Sequence, residues 1–384
     1  MKVVRTIEAF LPNLTGPATQ AWEISAALER RGVSSPVCTS RLDVPDSCPA
    51  EERLGPVQVF RLGAPFRLGR YAPTPGLPCR LKGADLVHTH NFRHAQCDLA
   101  ALWAAARGVP WVVHAHGGLA GFLSHGLSRA ALGLYGIYDA LVLRPELARA
   151  AAVCVSSEEE RREALAAGLP ERKVVLVSPG VRAPEAMPVR GADPERLRLL
   201  FVGRLCARRR PEALIESLAL LPGAFLTLVG APTQMSALER PLDLDSLRRL
   251  AEERGVSGRV RFTGALYGED LERAYAEADL FVYPTRYENF GFPLLEAAAR
   301  GLPLVSTRVG VAHDILKEGE TGCFTSGEPG DLAGKIRDLA GLSPWAAAAR
   351  HARESVLPRF SWEAAGERCH RLYEAVLGGA SPAG

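Results

Sequence analysis

The sequence predicts an α/β protein of two domains, each with a parallel sheet, facing each other across a deep cleft. Three observations carry this. Short β-branched runs alternate with amphipathic helical patterns along nearly the whole chain, as parallel sheets with crossover helices require. At 384 residues the chain is too long for one ordinary core. The two halves also echo each other: each opens on an apolar strand, passes a glycine-bearing loop (Gly16, Gly203) and enters a long helix.

In the first half the expected strands are KVVRTIE, SPVCTS, VQVFRL, ADLVHTH, PWVVHAH, AAVCVSS and KVVLVSP. The helix ATQAWEISAALERRG carries a stripe of Trp22, Ile24, Ala27 and Leu28, and Gly32 closes it. Pro188–Leu199, rich in Pro, Gly and charge, reads as a linker. A second series follows: strand LRLLFVGRL, helix RRPEALIESLALL, strand FLTLVG, helix LDSLRRLAEERG, strand VRFTG, helix EDLERAYAEA and strand DLFVYPT. Then come a short helix over Pro293–Arg300, strands LPLVST and CFTS, and a last helix, SWEAAGERCHRLYEAVL, far in sequence from any strand it could cover. Pro293 suits a first helical position, and Gly301 with Pro303 suits the far end.

Composition narrows the function classes. A net charge of +3 gives no case for nucleic-acid binding, which wants a strongly basic domain. No apolar stretch is long enough to span a bilayer, and the start, MKVVRTIEAFLPNL, reads as a strand rather than a secretory signal. The eight cysteines form no CxxC pair, so a reducing cytoplasm is the expected compartment. Only five of the 46 basic residues are lysine, so arginine is expected wherever a related protein uses lysine.

Chemistry is expected at the carboxyl ends of the strands, where ligands of such sheets bind. In the first half these positions hold Gly16 and the pairs His88/His90 and His114/His116. Alternate histidines on a strand point the same way, which allows two arms of a metal site, but no third ligand is placed by sequence. His116, before Gly117-Gly118, is better placed as a cleft residue, against the plainer reading of a structural histidine. In the second half Arg204 follows an apolar strand, and Arg208, Arg209 and Arg210 precede a helix. Guanidinium groups beside a helix start suit a diphosphate, although a charge run more often faces solvent.

The stretch ENFGFPLLEAAARGLP sets Glu288 just before, and Glu296 just inside, a helix otherwise made of Leu and Ala. The plain reading is that Glu296 complements the helix dipole. The fuller one is that the peptide N–H groups of Asn289, Phe290, Gly291 and Phe292 meet phosphate or sugar oxygens while Glu296 accepts from ribose hydroxyls and Glu288 reaches the sugar. The acids in LDLD (Asp243, Asp245) resemble a metal-binding pair, yet they stand before an amphipathic helix, where Asp245 is expected as the N-cap. The chain has no GxGxxG, GxxxxGK[ST] or GxSxG motif, so dehydrogenase, P-loop and serine-hydrolase readings lack their signatures.

Together these pieces resemble the retaining glycosyltransferases of family 4 (glycosyl transferases group 1), whose fold is GT-B: two Rossmann-like domains facing a cleft. The resemblance runs along nearly the whole chain. ENFGFPLLEAAARGLPLVSTRVG is similar to that family's paired-glutamate signature, FVGRLCARRRPEALIESL to its donor-phosphate segment, and PWVVHAHGGL to its strand ending in His-Gly. The segments AAAVCVSSEEERREAL and VVLVSPGV resemble the end of its first domain, and FSWEAAGERCHRLYEAVL resembles its final helix. The resemblance implies an acceptor-binding domain over 1–188, a nucleotide-sugar domain over 189–357, and a helix over 358–384 that crosses back to the first domain.

It further implies transfer of a sugar from a nucleotide diphosphate sugar to a glycan or lipid-linked acceptor, in cell-envelope glycan or glycolipid synthesis. The anomeric configuration would be retained, with no metal and no other cofactor. Gly16, Arg204 and Arg209 would hold the diphosphate and Glu296 the ribose. Glu288 and the 289–292 backbone would meet the donor sugar, and His116 would approach the reacting bond. The chain departs from the family pattern in four places. Arg209 stands for a lysine, one glycine (Gly16) for two, VGAP for a segment with a second glycine, and GVAHD for the commoner Gly-Gly and Glu.

Two other readings compete: a sugar-nucleotide 2-epimerase on the same fold, and a non-catalytic subunit built on a degenerate transferase. The epimerase would need acid/base carboxylates rather than an acceptor cleft. Residues 65–83 and 123–143 combine apolar, aromatic and basic residues. An ordinary loop and a core-facing helix is their plainer reading; the other is peripheral contact with the inner face of the membrane.

Overall fold

The computed structural model describes residues 1–382 except 14, 68–70, 118, 120–128, 183, 185–195 and 233–241, and it leaves the side chains of 129–131 undescribed. The chain divides into two compact units, Met1–Gly180 with Phe360–Gly384, and Val181–Arg359. The boundary expected at 188/189 lies outside the described residues.

Among the described residues the first unit holds eight strands: β1 (Val3–Ile7), β2 (Val37–Ser40), β3 (Glu51–Leu54), β4 (Val57–Leu62), β5 (Leu86–His90), β6 (Trp111–His114), β7 (Ala152–Val155) and β8 (Val174–Leu176). Their order across the sheet is β3-β4-β2-β1-β5-β6-β7-β8, parallel throughout except for β3, which runs antiparallel to β4. The central strands β1, β2, β5, β6 and β7 are buried along their whole length, as a sheet covered on both faces requires. Sequence reading misses β3 because EERL alternates exposed and half-buried residues at an edge. Chain order reverses at β1, which has β2 on one side and β5 on the other. Helix Gly16–Arg30 starts just beyond β1, capped by the Thr15 hydroxyl, which accepts from the Ala18 amide.

The last helix, Trp362–Leu377, belongs to this unit and packs on Gly16–Arg30. Two glycines make the approach possible. A Cβ on Gly180 would lie 2.4 Å from the Trp362 amide nitrogen, and one on Gly366 would lie 2.5 Å from the Ala27 Cβ.

The second unit holds β9 (Arg198–Val202), β10 (Phe225–Val229), β11 (Val260–Gly264), β12 (Leu280–Tyr283), β13 (Leu304–Ser306) and β14 (Gly322–Phe324). All are parallel, in the order β11-β10-β9-β12-β13-β14, so the reversal falls between β9 and β12. The expected linker therefore ends before Arg198, which opens β9. Asp243, not Asp245, caps helix Leu244–Glu253: its carboxylate accepts from the amides of Asp245 and Ser246, and Asp245 falls in the first turn. The helix expected over Pro293–Arg300 runs Phe292–Ala299, with Gly291 at the cap in the left-handed region (φ 94°). Leu294, Leu295, Ala297 and Ala298 are buried.

Candidate active site

In the second unit the carboxyl ends of β9 and β12 bring together residues far apart in sequence. Arg204 follows β9, half-buried. Arg209 is buried and donates from Nη1 to the carboxylate of Glu288 and to the Tyr283 hydroxyl. Tyr283, the last residue of β12, in turn donates to Glu288 Oε2 at 2.8 Å. Burial alone would raise the Glu288 carboxyl. The Arg209 charge and the hydrogen bonds from Arg209 and Tyr283 outweigh it, so its pKa is lowered and Glu288 is held ionised. The other oxygen, Oε1, accepts from the Asn289 amide at 3.1 Å. That N–H, expected to face a ligand, is thus turned to the neighbouring side chain.

The turn itself is anchored from below. The Phe290 carbonyl accepts from the Val311 amide at 2.7 Å, and a Cβ on Gly310 would lie 2.3 Å from that carbonyl oxygen. The glycine of GVAHD is therefore required by a close approach of two loops. The glycine of VGAP has a similar reason: a Cβ on Gly230 would lie 1.9 Å from the Gly203 carbonyl oxygen. Phe290 and Phe292 meet edge to face, their centroids 5.2 Å apart.

Glu296 stands five residues into its helix, one position beyond the first turn expected for it. Its Oε2 accepts from Tyr275 at 2.8 Å, and its carboxyl is raised by burial, offset in part by that bond and by the Arg300 charge. Arg300 is held by Glu272 and lies over the Tyr275 ring. Of the arginine run, Arg210 turns away to Glu328, 3.0 Å distant, and Arg208 lies over Tyr287. Tyr275 and Tyr283 are contacts that sequence reading missed. Tyr283 carried one available signal, its place at the end of an apolar strand.

In the first unit the four histidines form one stack. Ring centroids are 4.9 Å apart for His88/His90, 5.8 Å for His90/His114 and 4.3 Å for His114/His116. His116 adopts φ 51° and pairs its Nε2 with His90 Nδ1 at 2.8 Å. Burial lowers its pKa to about 3, so the imidazole is neutral at physiological pH. The turn after it is held by Glu160, which accepts from the amides of Gly117 and Ser156. Gly118 lies outside the described residues, and Gly16 opens its helix at the end of β1.

Two groups in this stack bring three ligand atoms within 4.8 Å of one another: His90/His114/His116, and His88/His114/Cys154. Arg5 spans both, donating to His88 Nδ1 and His90 Nε2, so two of the lone pairs are committed and a cation would meet a buried guanidinium. A third group, Cys97/Asp98/Glu146, lies on the same unit, with Asp98 accepting from Tyr71 and Tyr138. A cavity of about 770 Å³ opens among Arg198, Phe225, Arg261, Asp270 and Arg273, and no expected site residue lines it.

Of the two basic and apolar stretches, residues 68–70 and 123–128 lie outside the described residues. In the first, Leu77 and Leu81 are core, and Phe66 is 64% exposed. In the second, Leu134, Ile137 and Leu141 are 60–73% exposed, so this helix does not turn its apolar face wholly inward. No helix among the described residues is long and apolar enough to cross a membrane.

The family model Glycosyl transferases group 1 matches residues 183–351, and Glycosyl transferase 4-like domain matches 15–180. Among curated relatives, the D-inositol 3-phosphate glycosyltransferase of Mycolicibacterium smegmatis is 35% identical over 191 residues, 49% of this chain and 42% of that protein. That of Mycobacterium tuberculosis strain F11 is 32% identical over 246 residues, 58% of this chain and 48% of that protein. The chain thus matches less than half the length of these relatives. Among solved structures, HepE from Anabaena in complex with UDP superposes with a TM-score of 0.75 at 19% identity, covering 98% of this chain and all of that one. Sucrose-phosphate synthase from Thermosynechococcus elongatus gives 0.73 at 22%, covering 99% and 100%. With both halves matched by family models and the fold shared end to end, the chain belongs to the group 1, family 4 glycosyltransferases, enzymes of the GT-B fold.

Proposed function

We propose that the protein transfers a sugar from a nucleotide diphosphate sugar to an acceptor, retaining the anomeric configuration and using no metal. The observation that carries this is the Arg209–Tyr283–Glu288 group at the strand-order reversal of the second unit, an ionised carboxylate and a cation set beside the FGFP helix start. The nucleotide donor is supported by the UDP held in HepE, a protein of the same fold. On this reading Arg204 and Arg209 face the diphosphate together with Gly16. Glu296 binds the ribose, exchanging its Tyr275 partner or sharing it. Glu288 and the amides around Gly291 meet the sugar, and His116 approaches the reacting bond.

Breaking the glycosyl–phosphate bond leaves charge on the departing diphosphate. Fixed guanidinium groups and peptide N–H groups stabilise that charge without reorganising. The departing oxygen then takes the acceptor's proton. The acceptor on this reading is a glycan or lipid-linked alcohol of the cell envelope, reached at the inner membrane face by the exposed Leu134/Ile137/Leu141 edge.

Calorimetry against UDP-, GDP- and ADP-sugars with EDTA present tests this. Tight binding of one of them without metal is expected, with nucleotide diphosphate released only when acceptor is added. Release without acceptor and with an altered sugar would favour the epimerase, and no binding across the panel would favour the non-catalytic subunit.

A further inference from the structure

Arg5 is wholly buried at the centre of the first unit's sheet. Its Nε donates to Ser35 Oγ at 3.2 Å, its Nη1 to His88 Nδ1 at 3.3 Å and His90 Nε2 at 3.1 Å, and its Nη2 to the Tyr373 hydroxyl at 2.7 Å. None of these partners is a carboxylate. A buried cation without a counter-charge is costly, so its field must fall on something that gains from it.

The directions of these bonds are forced. A guanidinium has no acceptor, so His88 Nδ1 and His90 Nε2 both accept. Burial and the Arg5 charge keep His90 neutral, and with Nε2 accepting from Arg5 its single proton sits on Nδ1. From there it is donated to His116 Nε2. His116 is neutral too, so its own proton sits on Nδ1. Two hydrogen bonds thus lead from a fixed positive charge to His116, each polarising the next.

We propose that Arg5 and His90 are positioning residues for the transfer reaction: the chain Arg5–His90–His116 fixes His116 in its Nδ1–H form and strengthens that N–H as a neutral donor toward an oxygen of the sugar nucleotide. This rests on the transferase reading given above. It gives His116 much of the stabilising power of an imidazolium toward developing negative charge without a proton that titrates near neutrality. It also accounts for a histidine at 90, where a strand end could be filled by any polar residue.

The test uses the full chain. With 15N-labelled histidine, long-range 1H–15N spectra report which ring nitrogen carries the proton, and single variants His90→Asn and His116→Asn assign the signals. Nδ1–H is expected for both rings. Nε2–H at His116 overturns the proposal, whether or not the protein transfers sugar. Steady-state kinetics on the sugar nucleotide then read the consequence. His90→Leu is expected to lower kcat at least ~10-fold with donor KM within about 3-fold, while His90→Asn, whose amide replaces the Nδ1–H, recovers part of that loss. Equal losses in both variants, or a change in KM alone, mean that His90 only fills space. A wild-type protein that turns over no sugar nucleotide while showing the Nδ1–H signals would sink the transferase reading and leave the hydrogen-bond chain standing.

Discussion

Arg209 and Glu288 are 79 positions apart in sequence, yet they close a buried ion pair across the neighbouring strand ends of β9 and β12. Each answers the desolvation of the other. Removing either charge strands its partner, at a cost on the order of 3–5 kcal/mol. Glu288→Gln is therefore the informative change, since the amide oxygen can still accept from Arg209. It is expected to cut kcat ~100-fold or more while nucleotide affinity by calorimetry stays within about 3-fold. A parallel loss of both would overturn the role given to Glu288.

Glu296→Ala leaves the turn intact and removes the acceptor assigned to the ribose. Nucleoside diphosphate affinity should fall ~10-fold, about 1.4 kcal/mol, with Tyr275 losing its partner at the same time. An unchanged dissociation constant would refute the ribose assignment.

The strands, the two-sheet plan and the FGFP helix are legible in the sequence because periodicity and punctuation are local properties. The partnerships are not. Arg209 reads as one of a charge run, and nothing local says that it turns inward to Glu288 while Arg210 turns to Glu328. Asp245 reads as the cap on paper, yet Asp243 takes that place; only the backbone decides which one lies outside the first turn. Arg5 reads as an ordinary strand residue, because its role depends on β5 and the last helix arriving beside it.

Glu146 supplies a pH test. Burial, then the charge of Asp98, raises its carboxyl to about 8 in the fold, against 4.5 when exposed. A raised acid binds its proton more tightly folded than unfolded, so this site costs stability progressively as pH rises from 4.5 to 8. Glu146→Gln carries no such penalty. The stability gap between variant and parent should widen by on the order of 2 kcal/mol between pH 5 and 8.5 in denaturant titrations. A constant gap would mean that Glu146 is ionised throughout.

The exposed edge of Leu134, Ile137 and Leu141 can be tested with vesicles. Replacing all three by Ser should abolish co-sedimentation with anionic vesicles and leave thermal stability within ~0.5 kcal/mol, since little apolar area is buried there. Binding that survives the triple change would place the membrane contact elsewhere, and a parent protein that does not co-sediment would dismiss it.

Gly366→Val forces a branched side chain into the Ala27 Cβ. The first unit should lose ~1–3 kcal/mol in thermal unfolding, while the second unit's transition is unmoved. A shift of both transitions would show that the units unfold as one.

That last helix has a consequence for synthesis. The first unit is opened by residues 1–180 and completed only by 360–384, so the intervening unit is translated whole while its predecessor waits. Until Tyr373 emerges, the guanidinium of Arg5 and the ring of His88 lack its hydroxyl, and the flank of helix Gly16–Arg30 stands open to water. A nascent chain arrested before residue 360 therefore holds a finished second unit beside an unsealed one, and residues 360–384 decide whether Arg5 and His88 are capped.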